Sequence, residues 1–61
     1  MKRRDVIRHL ETHGCHLVRE GGNHSIYRNN ANGRCVAVPR HLEIKETLVR
    51  AICRQVLINR P

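Results

Sequence analysis

A histidine stands directly after a glycine-rich turn, in the segment Gly21-Gly22-Asn23-His24. Glycine reaches positive φ without steric cost, so such a turn lets a bulky substrate approach the backbone closely. Free N–H groups of residues 21–23 could contact a phosphate, and an imidazole can take or give a proton near neutral pH. The segment therefore predicts a proton-transfer site beside a phosphate; the alternative is an ordinary surface histidine.

The charge balance indicates which substrate that phosphate belongs to. The 61 residues include 12 Lys+Arg against 5 Asp+Glu, a formal net charge of +7. So basic a chain attracts polyanions, chiefly nucleic acid or an acidic protein. One Tyr and no Trp or Phe argue against a stacking platform for single strands, which leaves phosphate contacts to basic side chains. The predicted RNA-binding residues are Lys2, Arg3, Arg4, Arg8, Arg19, Arg28 and Arg34, although any one of them could be a solvated charge.

RNA carries its own nucleophile, the 2′-hydroxyl, so its cleavage needs proton transfer and charge stabilisation but no metal. If the strands around residues 24–38 form an antiparallel hairpin, His24 pairs near Pro39 and lies close to Arg40 and His41. Arg40 could then neutralise a phosphate with its planar fork. His41 is a candidate acid or phosphate ligand, or simply a residue that leads into the next helix. The predicted supporting residues of His24 are Gly22, Asn23, Ser25, Arg40 and His41.

The remaining histidines suggest a metal cluster only at first sight. His9 and His13 are one helical turn apart, and Cys15 and His16 follow. No Cys-x-x-Cys and no fixed Cys/His spacing supports a structural zinc site. The sequence therefore predicts no metal and no cofactor.

The chain has three cysteines, Cys15, Cys35 and Cys53. An odd number does not form a disulfide framework, which indicates a reducing cytoplasm. We expect the thiols to be small buried or half-buried hydrophobes. No segment is apolar enough to cross a bilayer, and the basic start lacks the apolar stretch of a secretory signal.

The elements that must position these residues follow from periodicity and turn signals. We predict helices over 3–13 and 43–57 and strands over 15–20, 24–29 and 34–38. Asn32-Gly33 is a hairpin signal, and Pro39 ends the third strand. A three-stranded antiparallel meander needs its apolar face covered, so the predicted fold is a single α+β domain over 1–61 with both helices on one face.

Apolar spacing predicts which side chains are buried. On the first helix they are Val6, Ile7 and Leu10, and on the second they are Ile44, Leu48, Ala51, Ile52 and Val56. The predicted buried face of the sheet consists of Ile26, Val36 and Val38, with Tyr27 packing across the strands. The first strand is undecided, because Leu17 and Val18 face opposite ways.

Four segments in order resemble the HicA family of toxin–antitoxin ribonucleases over nearly the whole chain. They are residues 2–10 with Gly14, Gly22-Asn23-His24, Val38-Pro39-Arg40-His41, and residues 43–48 followed by Ala51-Ile52 and Gln55. Two positions differ from many members, which carry serine at the position of Asn23 and glycine at that of Glu46.

The resemblance implies an α-β-β-β-α fold similar to a double-stranded RNA-binding domain. It also implies endoribonuclease activity on messenger RNA, a catalytic histidine at the position of His24, and a HicB antitoxin that occludes the site. Two other hypotheses remain from the residues themselves: a non-catalytic RNA-binding module of the same fold, and a DNA-binding regulator.

Overall fold

The computed structural model describes all 61 residues and has the predicted order of elements. The elements are α1 (Arg3–Thr12), β1 (Cys15–Glu20), β2 (His24–Asn29), β3 (Cys35–Pro39) and α2 (Glu46–Gln55). Strands β1, β2 and β3 form one antiparallel sheet in that order. The α+β prediction is therefore confirmed.

The second helix begins three residues later than predicted, because the preceding residues pair with the N-terminus. Lys2 and Glu43 form an antiparallel bridge, and the N–H of Ile44 donates to the Met1 carbonyl at 2.8 Å. These contacts pair residues 42–44 with the N-terminus, so Ile44 is buried ahead of the helix rather than on it.

The buried stripe of α2 consequently differs from the predicted one. Val49, Ile52, Cys53 and Val56 are buried, at the i, i+3, i+4, i+7 spacing of one helical face. Leu48 and Ala51, both predicted to be buried, are exposed. The prediction was wrong there because it counted Ile44 as a helical position, which rotated the expected stripe.

The β2–β3 register confirms the pairing on which the site depends. His24 lies opposite Pro39, and the ladder continues through Ile26–Ala37 to Arg28–Cys35. The predicted hairpin turn is also present, with Gly33 at φ +75°. Gly14, at φ +85°, follows the C-cap of α1, as a left-handed cap requires.

A β-bulge at Val18 resolves the orientation of the first strand. Leu17 pairs with Tyr27, but Arg19 pairs with Ile26 and Glu20 with Ser25, so Val18 is an extra residue in β1. Because side chains alternate along a strand, the bulge reverses the alternation and places Glu20 on the same side of the sheet as Ser25.

The core lies between the two helices and one face of the sheet. Its sheet residues are Cys15, Tyr27, Val36 and Val38, packed against Val6, Leu10, Ile44 and the α2 stripe. Tyr27 packs as predicted. Ile26 does not, because it alternates with the buried Ser25 and Tyr27 and so lies on the uncovered face, half-buried. Ile7 is also only half-buried, at the margin of the core.

The three cysteines divide between these two environments. Cys15 and Cys53 are buried in the core, whereas Cys35 is exposed. The expectation of a buried or half-buried thiol is therefore wrong for Cys35, which alternates with the inward-facing Val36 along β3.

Candidate active site

A polar depression lies where β2 begins and β3 ends. Its lining residues are Gly22, Asn23, His24, Arg40 and His41, none of them hydrophobic. The pairing of His24 with Pro39 brings the two chain segments together. The structure thus assembles His24 with four of its five predicted supporting residues at one surface.

Both imidazoles of the depression are available to a ligand. His24 and His41 are exposed, and the only imidazole hydrogen bonds within the chain belong to His9 and His13. His24 lies at the end of the uncovered sheet face, on the same side of β2 as Ile26 and Arg28. An extended polyanion can therefore reach the rings without any rearrangement of the core.

The turn before His24 is closed by a backbone hydrogen bond that the sequence did not predict. The N–H of Gly21 donates to the His24 carbonyl at 2.8 Å, so it is not free for a phosphate as expected. A Cβ at Gly21 would lie 3.1 Å from that carbonyl oxygen, which explains the glycine. Neither Gly21 nor Gly22 has the positive φ that the glycine-rich turn predicted. The N–H groups of Gly22 and Asn23 make no hydrogen bond within the chain.

Ser25 lies beneath the depression rather than on its surface. The side chain is buried, with its hydroxyl donating to Oε1 of Glu20 at 2.7 Å and accepting from Nη2 of Arg3 at 2.9 Å. Arg3 also donates through Nε to the Pro39 carbonyl at 2.9 Å. Arg3 was predicted to contact RNA. In the structure its guanidinium instead binds the ends of β2 and β3 behind His24, and so connects α1 to the sheet.

Arg40 also binds Glu20, the carboxylate that accepts the Ser25 hydroxyl. Its Nη2 donates to Oε1 of Glu20, and its Nη1 donates to the Gly22 carbonyl at 3.3 Å. The hydrogen bond from Ser25 and then that from Arg40 lower the pKa of the Glu20 carboxyl, so Glu20 is a carboxylate at neutral pH. Sequence reasoning missed Glu20, because only the bulge at Val18 turns it toward Ser25.

The other predicted RNA-binding residues are spread over three parts of the surface. Arg4 and Arg8 are exposed on α1, where Lys2 approaches Glu43 at 3.8 Å. Arg19 and Arg28 lie on the uncovered face of the sheet, on the same side as His24. Arg34 donates through Nε to the Gln55 carbonyl at 2.6 Å, at the C-terminus of α2.

The two histidines near the end of the first helix contact backbone carbonyls of the chain. The ring of His9 lies 2.6 Å from the Asn59 carbonyl, and Nδ1 of His13 lies 2.9 Å from the His9 carbonyl. No group of three or more His, Cys, Asp or Glu side chains is placed to hold a metal ion.

Comparison with known proteins decides the family. The sequence model described as the HicA toxin of bacterial toxin–antitoxin systems matches residues 3–58. The chain belongs to the HicA toxin family. A solved structure, the crystal structure of the E. coli HicAB toxin–antitoxin complex, is similar at 38% sequence identity with a TM-score of 0.75. The match covers 90% of this chain and 95% of that chain.

A comparison with curated protein sequences finds no match. The HicA match includes every residue that lines the depression. In this member of the HicA family, neither helix is long and apolar enough to cross a membrane.

Proposed function

We propose that this protein is the toxin of a type II toxin–antitoxin system and that it cleaves messenger RNA, with His24 as its catalytic residue. The observation that carries the proposal is the exposed imidazole of His24 in a polar depression shared with His41 and Arg40. Membership of the HicA toxin family supports the same function.

The proposed reaction uses only groups of the protein and the RNA. The ribose 2′-oxygen attacks the adjacent phosphorus, its proton passes to an imidazole, and the bond from phosphorus to the 5′-oxygen breaks. The departing 5′-oxygen accepts a proton from the protein. The products are a 2′,3′-cyclic phosphate, which water can then hydrolyse to a 3′-phosphate, and a 5′-hydroxyl. His24 acts as the base or the acid, and His41 is the candidate for the complementary role.

Charge stabilisation in this scheme comes from the residues around His24. The Arg40 guanidinium and the free N–H groups of Gly22 and Asn23 are donors for the phosphorane oxygens.

In-line attack requires a flexible strand, so the proposed substrate is an unpaired stretch of messenger RNA rather than a duplex recognised by shape. An RNA with a single 2′-deoxyribose at the cleaved position should bind but remain intact there. Cleavage at that position would exclude the 2′-hydroxyl as nucleophile.

The proposed protein partner is a HicB-type antitoxin. The similar solved structure is a toxin–antitoxin complex, and the net charge of +7 favours an acidic surface on whatever covers the site. We propose that the antitoxin occludes His24. Hydrogen exchange or a structure of the complex that leaves His24 open to solvent would exclude steric occlusion.

Induction in growing bacteria separates a nuclease from a non-catalytic RNA-binding module. Wild-type protein should arrest growth and fragment transcripts, while His24→Ala should leave both intact, because proton transfer is lost. Intact transcripts with both proteins would exclude the nuclease.

A further inference from the structure

Leu42 stands out on the surface next to the candidate active site. Its side chain is 87% exposed, the largest value among the exposed large hydrophobic residues. It directly follows His41, which lines the depression of His24. Leu42 also lines a second, smaller depression together with Lys2, Arg3 and Arg4. A leucine of this exposure contributes nothing to the core, so its position calls for a different role.

The backbone that carries Leu42 is fixed. The Leu42 carbonyl accepts the N–H of Arg3 at 2.8 Å, and the next residue, Glu43, bridges to Lys2. Ile44 then enters the core, with its N–H bound to Met1. The side chain is therefore presented from a rigid position, and a partner that binds it does not have to order the backbone first.

The chemistry of the side chain favours a protein over RNA. An isobutyl group offers a phosphate no hydrogen bond and offers a base no ring for stacking, whereas it can fill an apolar pocket of a protein. The surroundings define the rim of that pocket. The guanidinium of Arg4 forms no ion pair, and Arg40 lies on the other side of His41. The carboxylate of Glu43 faces Lys2 and the N-terminal amine, which Glu46 also approaches.

From this arrangement we infer that Leu42 is the apolar anchor of the antitoxin, inserted in a pocket whose rim is acidic. The inference rests on the proposed function and specifies its partner surface. Because Leu42 adjoins His41, a protein docked on it also covers the approach to His24. Inhibition and catalysis would then depend on neighbouring but separate residues, which an experiment can distinguish.

The test compares Leu42→Ser with Leu57→Ser in the full chain. Leu57 is 62% exposed and follows α2, next to Val56, whose carbonyl binds Asn29 at the far end of β2 from His24. The probe is a purified cognate HicB-type antitoxin, the partner proposed above. Two quantities are measured: RNA cleavage without antitoxin, and the dissociation constant of the complex.

Leu42→Ser should cleave RNA at the wild-type rate and raise the dissociation constant by about tenfold or more, as expected when a buried leucine is lost. Leu57→Ser should change neither quantity. An unchanged dissociation constant for Leu42→Ser overturns the inference. Loss of RNA cleavage by a folded Leu42→Ser variant also overturns it and would assign the leucine to the RNA site.

Failure of the proposed function can be distinguished from failure of the Leu42 inference. If the wild type binds its antitoxin but cuts no RNA, the nuclease is excluded while the comparison of dissociation constants still decides the role of Leu42. If the wild type does not bind that antitoxin, the partner proposal and the Leu42 inference are both overturned.

Discussion

The guanidinium of Arg40 binds the carboxylate of Glu20 across the end of the sheet, and its second terminal nitrogen binds the carbonyl of Gly22. Arg40 follows β3, Glu20 ends β1, and Gly22 belongs to the turn that leads to His24. One side chain therefore connects three chain segments that form the candidate active site, while its cationic group lies at the surface of the depression.

Replacing Arg40 should impair RNA cleavage. Arg40→Ala removes both the support of the turn and the cation proposed to bind the scissile phosphate, and a charge-assisted contact of this kind corresponds to about tenfold or more in kcat/KM. Arg50→Ala is a matched control, because it removes the same charge from the exposed face of α2. Cleavage kinetics on one RNA oligonucleotide provide the measurement. An equal loss of kcat/KM in the two variants would show that Arg40 contributes only through the net charge of the protein.

The lowered pKa of Glu20 predicts a pH-dependent contribution to stability. Hydrogen bonds from Ser25 and Arg40 stabilise the carboxylate in the folded protein. The stabilisation is therefore fully present above the ordinary carboxyl pKa of 4.5 and is lost as the pH falls through the lowered value. The Tm of the wild type should exceed that of Glu20→Gln at neutral pH, and the difference should shrink toward zero in acid. A difference that stays constant or grows in acid would contradict this assignment.

Cysteine reactivity should follow the division between core and surface. Cys35 is exposed, whereas burial shields Cys15 and Cys53 and raises the pKa of both thiols. Brief treatment of the native protein with iodoacetamide should modify Cys35 alone, and denaturant should expose the other two. Peptide mass spectrometry identifies the modified positions. Rapid native modification of Cys53 would show that α2 does not pack as described.

Much of the candidate site was predictable because it depends on local signals. The glycine turn, the Asn-Gly hairpin and the proline that ends β3 together fix the antiparallel register, and that register brings His24 beside Arg40 and His41. No tertiary information is needed for this step, since pairing in a hairpin follows from the turn.

The remainder depends on contacts between distant residues. The bulge at Val18 reverses the alternation of β1, so Glu20 rather than Arg19 meets Ser25. Pairing of the N-terminus with residues 42–44 delays α2 and turns Leu48 outward. Ile26 lies on the uncovered face because its neighbours Ser25 and Tyr27 are both buried on the opposite face, where the Ser25 hydroxyl binds Glu20 and Arg3.

The most direct test of the central claim uses purified wild-type and His24→Ala proteins on the same unpaired RNA oligonucleotide. Cleavage rate and dissociation constant are measured side by side. Because the imidazole of His24 is exposed and makes no hydrogen bond within the chain, the variant should fold normally and bind RNA within about twofold of the wild type. Its cleavage rate should fall by about a hundredfold or more, the usual contribution of a proton-transfer group. A folded His24→Ala variant that cleaves at the wild-type rate would contradict the assignment of His24 as the catalytic residue.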